Sequence, residues 1–150
     1  MIVRQAIFSD ILPLLKIVKA FIDESNWGWK FNEENSLKIL YNYMNSDESC
    51  VLVPVDRNIV GFATIAFDDE FHDERLGYIS KFYVTKEARG TGAGRALIAA
   101  CDAWFKANKC DSAFATSTAN IGEGALFKNL LFKNGYAVAG ESLTRKFIYE

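Results

Sequence analysis

The chain has 150 residues, and its 17 Lys and Arg residues nearly balance 19 Asp and Glu residues, for a formal net charge of −2. This length suits a single domain over 1–150, because domains commonly hold about 100–150 residues. Half of the residues are apolar, which excludes a disordered chain, and the lack of a Lys and Arg excess argues against nucleic-acid or anionic-membrane partners.

The opening residues carry no basic segment followed by an apolar run, and no apolar stretch approaches the roughly 20 residues of a membrane span. Cys50, Cys101 and Cys110 are the cysteines, and they contain no CxxC pair. Neither a disulfide framework nor a zinc site is therefore expected. His72 is the single histidine, so we expect no metal. The cysteine pattern instead favours reduced thiols in a cytoplasmic protein.

The first half of the chain predicts a strand, two helices and a hairpin. Turn residues and capping residues mark the boundaries between the apolar segments. The expected elements are a strand at Ile2–Ile7, a helix capped by Ser9 or Asp10 that ends near Ser25, a helix capped by Asn32, and a hairpin of Cys50–Val55 and Ile59–Phe67.

The second half predicts strands that alternate with helices. The expected elements are a strand at Leu76–Thr85, a helix at Ala93–Asn108, a buried strand at Ser112–Thr116, a helix at Gly124–Asn134, and a strand pair at Tyr136–Ala139 and Leu143–Tyr149. The whole order is βααβββαβαββ. It predicts an α/β (α+β) fold with one mixed central sheet flanked by helices.

A glycine-rich segment, Arg89–Gly94, lies between a predicted strand and a predicted helix. Glycine lets the backbone approach a ligand closely, and a helix N-terminus offers unpaired N–H groups, so the segment can bind a pyrophosphate. Arg89 and Arg95 add positive charge. A tight turn that binds nothing is the alternative. The sequence matches neither the Walker nor the Rossmann pattern of glycines.

The segment Arg89-Gly90-Thr91-Gly92-Ala93-Gly94 resembles the Arg/Gln-x-x-Gly-x-Gly/Ala signature of the GNAT superfamily of acyl-CoA-dependent N-acetyltransferases. It follows Phe82-Tyr83-Val84, which looks like the strand that leads into this loop in the family. The resemblance implies a GNAT-like fold. It also implies transfer of an acetyl group from acetyl-CoA to a primary amine by direct attack in a ternary complex, and it makes a homodimer reasonable.

The resemblance further implies which residues hold the cofactor. The backbone N–H groups of Arg89–Gly94 would bind the pyrophosphate, and the backbone of Phe82 and Val84 would pair with the pantetheine arm. A splay between this strand and Ser112–Thr116 would expose the edge that the arm needs. The expected cofactor residues are Phe82, Tyr83, Val84, Arg89, Gly90, Thr91, Gly92, Ala93, Gly94, Arg95 and Asn120. For Asn120, a simple helix cap is the alternative.

One position departs from the family pattern. Many members carry a tyrosine that protonates the departing thiolate, and here two ways of counting place Phe127 or Leu131 at that position. Neither residue has a hydroxyl. The departure supports an alternative function, a CoA-binding pseudoenzyme or accessory module that has lost turnover.

Candidates for the proton transfers lie upstream on the same strand. Alternation places Tyr78 and Ser80 on one face with Phe82 and Val84, in the region where several GNAT enzymes carry a glutamate. Neither residue is a natural base at neutral pH, but either could order a water that relays a proton. Simple packing or hydrogen bonding of both is the alternative.

An acidic segment precedes that strand. Asp68–Glu74 holds five carboxylates and the histidine, and it could attract a cationic amine. A solvated loop is the more usual meaning of such a run.

An aromatic segment lies between the first two helices. Trp27, Trp29 and Phe31 could form walls of an acceptor pocket, with Asp23 and Glu24 pairing with the charge of the amine. The alternative is a hydrophobic lid over the core.

Overall fold

The computed structural model of the chain describes residues 1–25, 27–116 and 124–149. Within these ranges the helices are Ile11–Glu24 (α1), Glu33–Met44 (α2), Ala93–Ala107 (α3) and Gly124–Lys133 (α4). The strands are Ile2–Gln5 (β1), Ser49–Asp56 (β2), Asn58–Ile59 (β3), Gly61–Asp68 (β4), Leu76–Val84 (β5) and Ser112–Ala115 (β6). As far as α4, the element order follows the predicted one, with the two-residue β3 added inside the hairpin.

Local side-chain hydrogen bonds set the starts of the first two helices. The Asn32 side chain accepts a hydrogen bond of 2.8 Å from the N–H of Asn35, which confirms the predicted cap of α2. Asp10 directly precedes α1 but does not cap it. Its carboxylate instead accepts hydrogen bonds from Arg4 at 2.7 and 3.0 Å and from the N–H of Ile7 at 2.8 Å. Asp10 therefore joins β1 to the start of α1.

The strands form one mixed sheet in the order β1-β2-β4-β5-β6, and β3 pairs with β2. The pairs β1–β2, β2–β4 and β4–β5 are antiparallel, whereas β5 and β6 are parallel. A helix, α3, connects these parallel strands, as a parallel crossover requires. The predicted mixed sheet is confirmed.

Helices cover both faces of the sheet, and each face has its own apolar cluster. Against α3, the buried residues include Leu97, Ile98 and Cys101 together with Ile65 of β4. Against α1 and α2, a second set includes Leu14, Leu40, Val53 and Phe62. We call these the α3 face and the α1–α2 face of the sheet.

The predicted final strand pair is not present in residues 136–149, which form neither helix nor strand. Tyr136 donates a hydrogen bond of 3.0 Å to Asp102 of α3, and the segment that follows it borders an open groove of about 1050 Å³ beside β6. Leu143 and Tyr149 are 89% and 90% exposed. Aromatic and β-branched residues such as those at 147–149 favour a strand, but a strand also needs a partner for its backbone hydrogen bonds.

In the described ranges, none of the helices combines the length and the apolar character that crossing a membrane requires.

Candidate functional site

The loop after β5 fits the phosphate groups of a nucleotide cofactor. Gly90 and Gly92 have φ angles of +80° and +92°, which residues other than glycine rarely adopt. A Cβ atom built on either glycine meets no other atom within 4 Å, so the space over the loop is open. Gly92 directly precedes α3, and no side chain caps this helix end. The first N–H groups of α3 can therefore bind an anion.

The described pairing of β5 with β6 stops short of this loop. Among residues 1–25, 27–116 and 124–149, it runs from Leu76 and Ser112 to Ile79 and Ala115. The N–H of Thr85 bonds to the carbonyl of Val60 on the β4 side at 2.9 Å. Since backbone groups alternate in direction along a strand, those of Phe82 and Val84 point away from β4.

A β-bulge interrupts β5 at Ser80. Lys81 pairs with Thr64 and Ile79 pairs with Ile65, so Ser80 is left without a partner on β4. One extra residue reverses which face the following side chains occupy.

Tyr78 and Phe82 therefore do not share a face, contrary to the expectation from simple alternation. Ile79, Phe82 and Val84 pack on the α3 face, whereas Tyr83 is buried on the α1–α2 face. Since Tyr78 precedes the bulge next to Ile79, its side chain lies on the α1–α2 face.

Glu24, Tyr83 and Arg89 form a hydrogen-bonded cluster that the sequence did not predict. Arg89 donates to the Glu24 carboxylate at 2.9 and 3.2 Å and to the carbonyl of Val84 at 3.1 Å. The Tyr83 hydroxyl also donates to Glu24. We call this set of contacts the Glu24 cluster. It joins the last residue of α1 to the end of β5 and to the first residue of the glycine loop.

The Glu24 cluster changes the expected roles of two residues. Glu24 was expected near the charge of an acceptor amine, but its carboxylate is engaged by Arg89 and Tyr83. Tyr83 was expected among the cofactor contacts, but its side chain is buried on the α1–α2 face and its backbone points to β4. The two partners lie 59 and 65 residues from Glu24, so no local pattern could have found them.

Ionisation in the Glu24 cluster follows from these contacts. Burial alone would raise the pKa of Glu24, but the hydrogen bonds from Tyr83 and Arg89 outweigh it and hold the pKa below its usual value. Burial, together with the hydrogen bond to Glu24, raises the pKa of Tyr83. At neutral pH the cluster therefore contains a carboxylate, a guanidinium and a neutral phenol.

Tyr78 lies among acidic groups. Burial raises the pKa of Tyr78, and the neighbouring Tyr43, Asp68, Glu70 and Glu48 raise it further. Tyr78 therefore stays a neutral phenol at physiological pH, which suits a proton donor or relay better than a base.

Only part of the acidic segment lies close to Tyr78. Asp68 and Glu70 affect its pKa, whereas Asp69 forms an ion pair of 3.1 Å with Arg75. Arg75 also donates to the carbonyl of Asn108 at 2.9 Å. In residues 1–25, 27–116 and 124–149, no group of His, Cys, Asp and Glu side chains is arranged to hold a metal ion.

The aromatic segment presents a flat exposed surface. Trp27 and Trp29 stack with ring centroids 5.6 Å apart and an interplanar angle of 14°, and both are exposed. Phe31 packs against the core of the α1–α2 face instead. Asp23 pairs with Lys19 at 2.7 Å on the surface of α1.

The helix α4 brings Phe127 to the strand that would hold the cofactor. Its ring stacks on Phe82 with centroids 4.7 Å apart, whereas Leu131 is buried in the core. Of the two candidates, Phe127 and Leu131, Phe127 is therefore the one whose ring lies against Phe82 of β5. Asn120 lies outside the described residues.

Known proteins share both the sequence pattern and the fold. The acetyltransferase (GNAT) family model matches residues 15–131. No curated protein sequence matches the chain.

Solved structures with the same fold include three acetyltransferases. An apo aminoglycoside antibiotic 6'-N-acetyltransferase from Acinetobacter haemolyticus has a TM-score of 0.76 at 12% identity, with both chains covered in full. The structure of AAC(6')-Iy with the bisubstrate analog CoA-S-monomethyl-acetylneamine has a TM-score of 0.79 at 13% identity, over 99% of this chain and 98% of that one. A GNAT family acetyltransferase from Staphylococcus aureus has a TM-score of 0.73 at 22% identity, over 97% and 98% of the two chains.

The family match covers β5, the glycine loop and most of α4. The chain belongs to the GNAT family of acetyltransferases.

Proposed function

We propose that the protein is an N-acetyltransferase that moves an acetyl group from acetyl-CoA to a primary amine. The observation that carries this proposal is the open glycine loop at the uncapped start of α3, which can accept a pyrophosphate. The loop follows β5, whose described pairing with β6 ends at Ile79, and the edge of β5 beyond that point could accept an extended amide chain such as pantetheine.

Two parts of the chain would hold the cofactor: the backbone of β5 would bind the pantetheine arm, and the glycine loop would bind the phosphates. The carbonyl of Val84 already accepts a hydrogen bond from Arg89, so we assign the N–H of Val84, together with the backbone of Phe82, to the pantetheine arm. Gly90, Thr91, Gly92, Ala93 and Gly94 then offer main-chain N–H groups to the phosphates. Arg95 lies exposed on the first turn of α3 and adds positive charge there.

Direct transfer in a ternary complex fits the chemistry of the cysteines. Burial raises the pKa of Cys50 to about 12, and burial also raises the pKa values of Cys101 and Cys110. These thiols stay protonated at neutral pH, so none is an activated nucleophile. When bound, acetyl-CoA supplies a thioester, whose C–S bond breaks as the C–N bond to the amine forms.

The acceptor is a cationic amine in this proposal. Tyr78 faces the α1–α2 side with Asp68 and Glu70 nearby, and these carboxylates attract positive charge. Tyr78 and Ser80 are the candidates for moving the proton, with Tyr78 as donor or relay. Aminoglycosides belong in the acceptor panel, because two of the proteins with the same fold are named for acetylating them.

The experiment measures CoA binding and turnover separately. Isothermal titration calorimetry with CoA tests the cofactor site, and release of free thiol from acetyl-CoA tests transfer to polyamines, aminoglycosides, amino acids and peptide N-termini. Thiol release that depends on one of these amines supports the proposal. A lack of CoA binding refutes it.

A CoA-binding pseudoenzyme is the second candidate function, and Phe127 favours it. The residue beside Phe82 carries no hydroxyl that could protonate a thiolate. CoA binding without thiol release for any amine would support this candidate over the enzyme.

Three further proposals concern the domain organisation, the location and the oligomeric state of the protein. A single domain over 1–150, a cytoplasmic location and a homodimer all agree with the family. The free thiols of the three cysteines support a reducing compartment.

A further inference from the structure

We propose that Glu24 is a positioning residue for the CoA pyrophosphate and that it acts through Arg89. This inference rests on the proposed function, because it concerns the same cofactor site. Glu24 lies at the end of α1 and accepts hydrogen bonds from Arg89, the first residue of the glycine loop, and from Tyr83 of β5. Arg89 is the partner that belongs to the loop, so we expect the effect of Glu24 on a bound phosphate to pass through it.

The contacts of Arg89 fix the point where the loop begins. Two hydrogen bonds to Glu24 and one to the carbonyl of Val84 hold its guanidinium between α1 and β5. The side chains of Arg89 and Glu24 are only 23% and 21% exposed, so water screens this pair less than a surface pair. A planar guanidinium bonded at both ends has little freedom to rotate.

The rest of the glycine loop has few constraints of its own. Gly90 and Gly92 have no side chains, and a Cβ on either would meet nothing within 4 Å. Between Ala88, which is buried, and Ala93, which begins α3 and is also buried, the Thr91 hydroxyl donates a hydrogen bond to the nearby carbonyl of Ala88, whereas Arg89 ties the loop to α1 and β5. Without Glu24, the loop would sample more conformations, and ordering it around a phosphate would cost binding free energy.

The positive charge of Arg89 is paired with Glu24, unlike that of an arginine that binds a phosphate directly. The Glu24 carboxylate is ionised, as its lowered pKa indicates, and it offsets the charge of the guanidinium. We therefore expect Arg89 to contribute to phosphate binding through the shape of the loop more than through attraction.

Titration calorimetry with CoA tests this role in the full chain. Glu24→Ala should raise the Kd for CoA by about tenfold, because binding would then have to order a loop that Arg89 no longer holds in place. Glu24→Gln keeps the shape of the side chain and should raise the Kd by less. Asp23→Asn is the matched control, because Asp23 is the neighbouring carboxylate and bonds only to Lys19 among the contacts described for it; its Kd should stay within about twofold of the parent.

A double-mutant cycle with Arg89→Ala separates positioning from general stabilisation. If Glu24 acts through Arg89, Glu24→Ala should change the Kd by less than about twofold once Arg89 is alanine. A purely structural role would lower the melting temperature without ligand and leave the Kd of the folded protein unchanged.

Two results would overturn the inference while the proposed function stands. They are an unchanged Kd in both Glu24 variants, and equal effects of Glu24→Ala with and without Arg89. A parent protein that does not bind CoA would instead refute the proposed function, and this inference with it.

Discussion

Substitution of Gly92 tests whether the loop before α3 holds an anion. Gly92 has a φ of +92°, and a Cβ there meets nothing within 4 Å, so Gly92→Asp adds a carboxylate without a clash. Gly92→Asn is the matched control, because asparagine has nearly the same shape, no charge, and an equal tolerance for the left-handed conformation. The difference between the two variants isolates the effect of charge.

The expected magnitude follows from Coulomb's law and from the exposure of the loop. Two like charges about 4 Å apart repel by about 1 kcal/mol in water and by about 4 kcal/mol at an effective dielectric constant near 20. Gly92 is exposed, so we expect about 2 kcal/mol, or roughly a thirtyfold higher Kd for CoA in Gly92→Asp than in Gly92→Asn.

This loss of affinity should be visible in thermal melts. Ligand at about 100 times the Kd stabilises the native state by about 2.7 kcal/mol, and the same concentration stabilises a thirtyfold weaker binder by about 0.9 kcal/mol. For a chain of this length, the increase in Tm should fall from about 5–10 °C to about 2–3 °C. Each variant is compared with its own melt without CoA, which removes the effect of backbone strain.

Salt provides a second measurement of the same effect. Added salt screens exposed charges, so the difference in Kd between Gly92→Asp and Gly92→Asn should narrow as ionic strength rises. Equal Kd values for the two variants at low salt would contradict an anion site at this loop.

Other substitutions test proton transfer, the acceptor side and the acid sensitivity of the fold. Phe127→Tyr adds a hydroxyl beside Phe82 and should leave kcat for thiol release unchanged or raise it; a large fall in kcat with an unchanged Kd for CoA would show that this position must stay apolar. Asp68→Asn combined with Glu70→Gln should lower kcat/KM for cationic amines and weaken its salt dependence, with little change in the Kd for CoA; equal kcat/KM values at low salt would assign both carboxylates to the solvated surface. The hydrogen bond from Arg4 lowers the pKa of Asp10, so this carboxylate stabilises the fold above its unfolded pKa of about 3.9 and loses that effect as the pH falls through the lower folded value. Asp10→Asn should therefore lower Tm by about 4 °C at pH 7 and by progressively less below about pH 4. A Tm difference between variant and parent that stays constant in melts from pH 7 to pH 3 would contradict this explanation.

Features that depend on neighbouring residues could be predicted from the sequence. Asn32 caps α2 through the N–H of a residue three positions away, and the glycines at 90 and 92 mark a loop whose positive φ angles favour glycine. In both places the residues that cause the structure lie within a few positions of each other in the chain.

Features that depend on pairing could not be predicted in the same way. The bulge at Ser80 reverses the alternation that placed Tyr78 with Phe82, and a bulge depends on the partner strand as much as on its own residues. Glu24 meets Arg89 across 65 residues. A strand was predicted at Leu143–Tyr149, but the residues of a segment do not show whether a sheet edge is within its reach.

The extra residue in β5 has a consequence for how such an enzyme can change. In our proposal Tyr78, before Ser80, faces the acceptor side, and Phe82 and Val84, after it, border the cofactor, so the two specificities are encoded in separate stretches of one strand. Substitutions on one side can then accumulate without disturbing the other. A deletion of one residue in β5 would instead exchange the faces of every side chain beyond it, so this strand should tolerate many substitutions but no change in length.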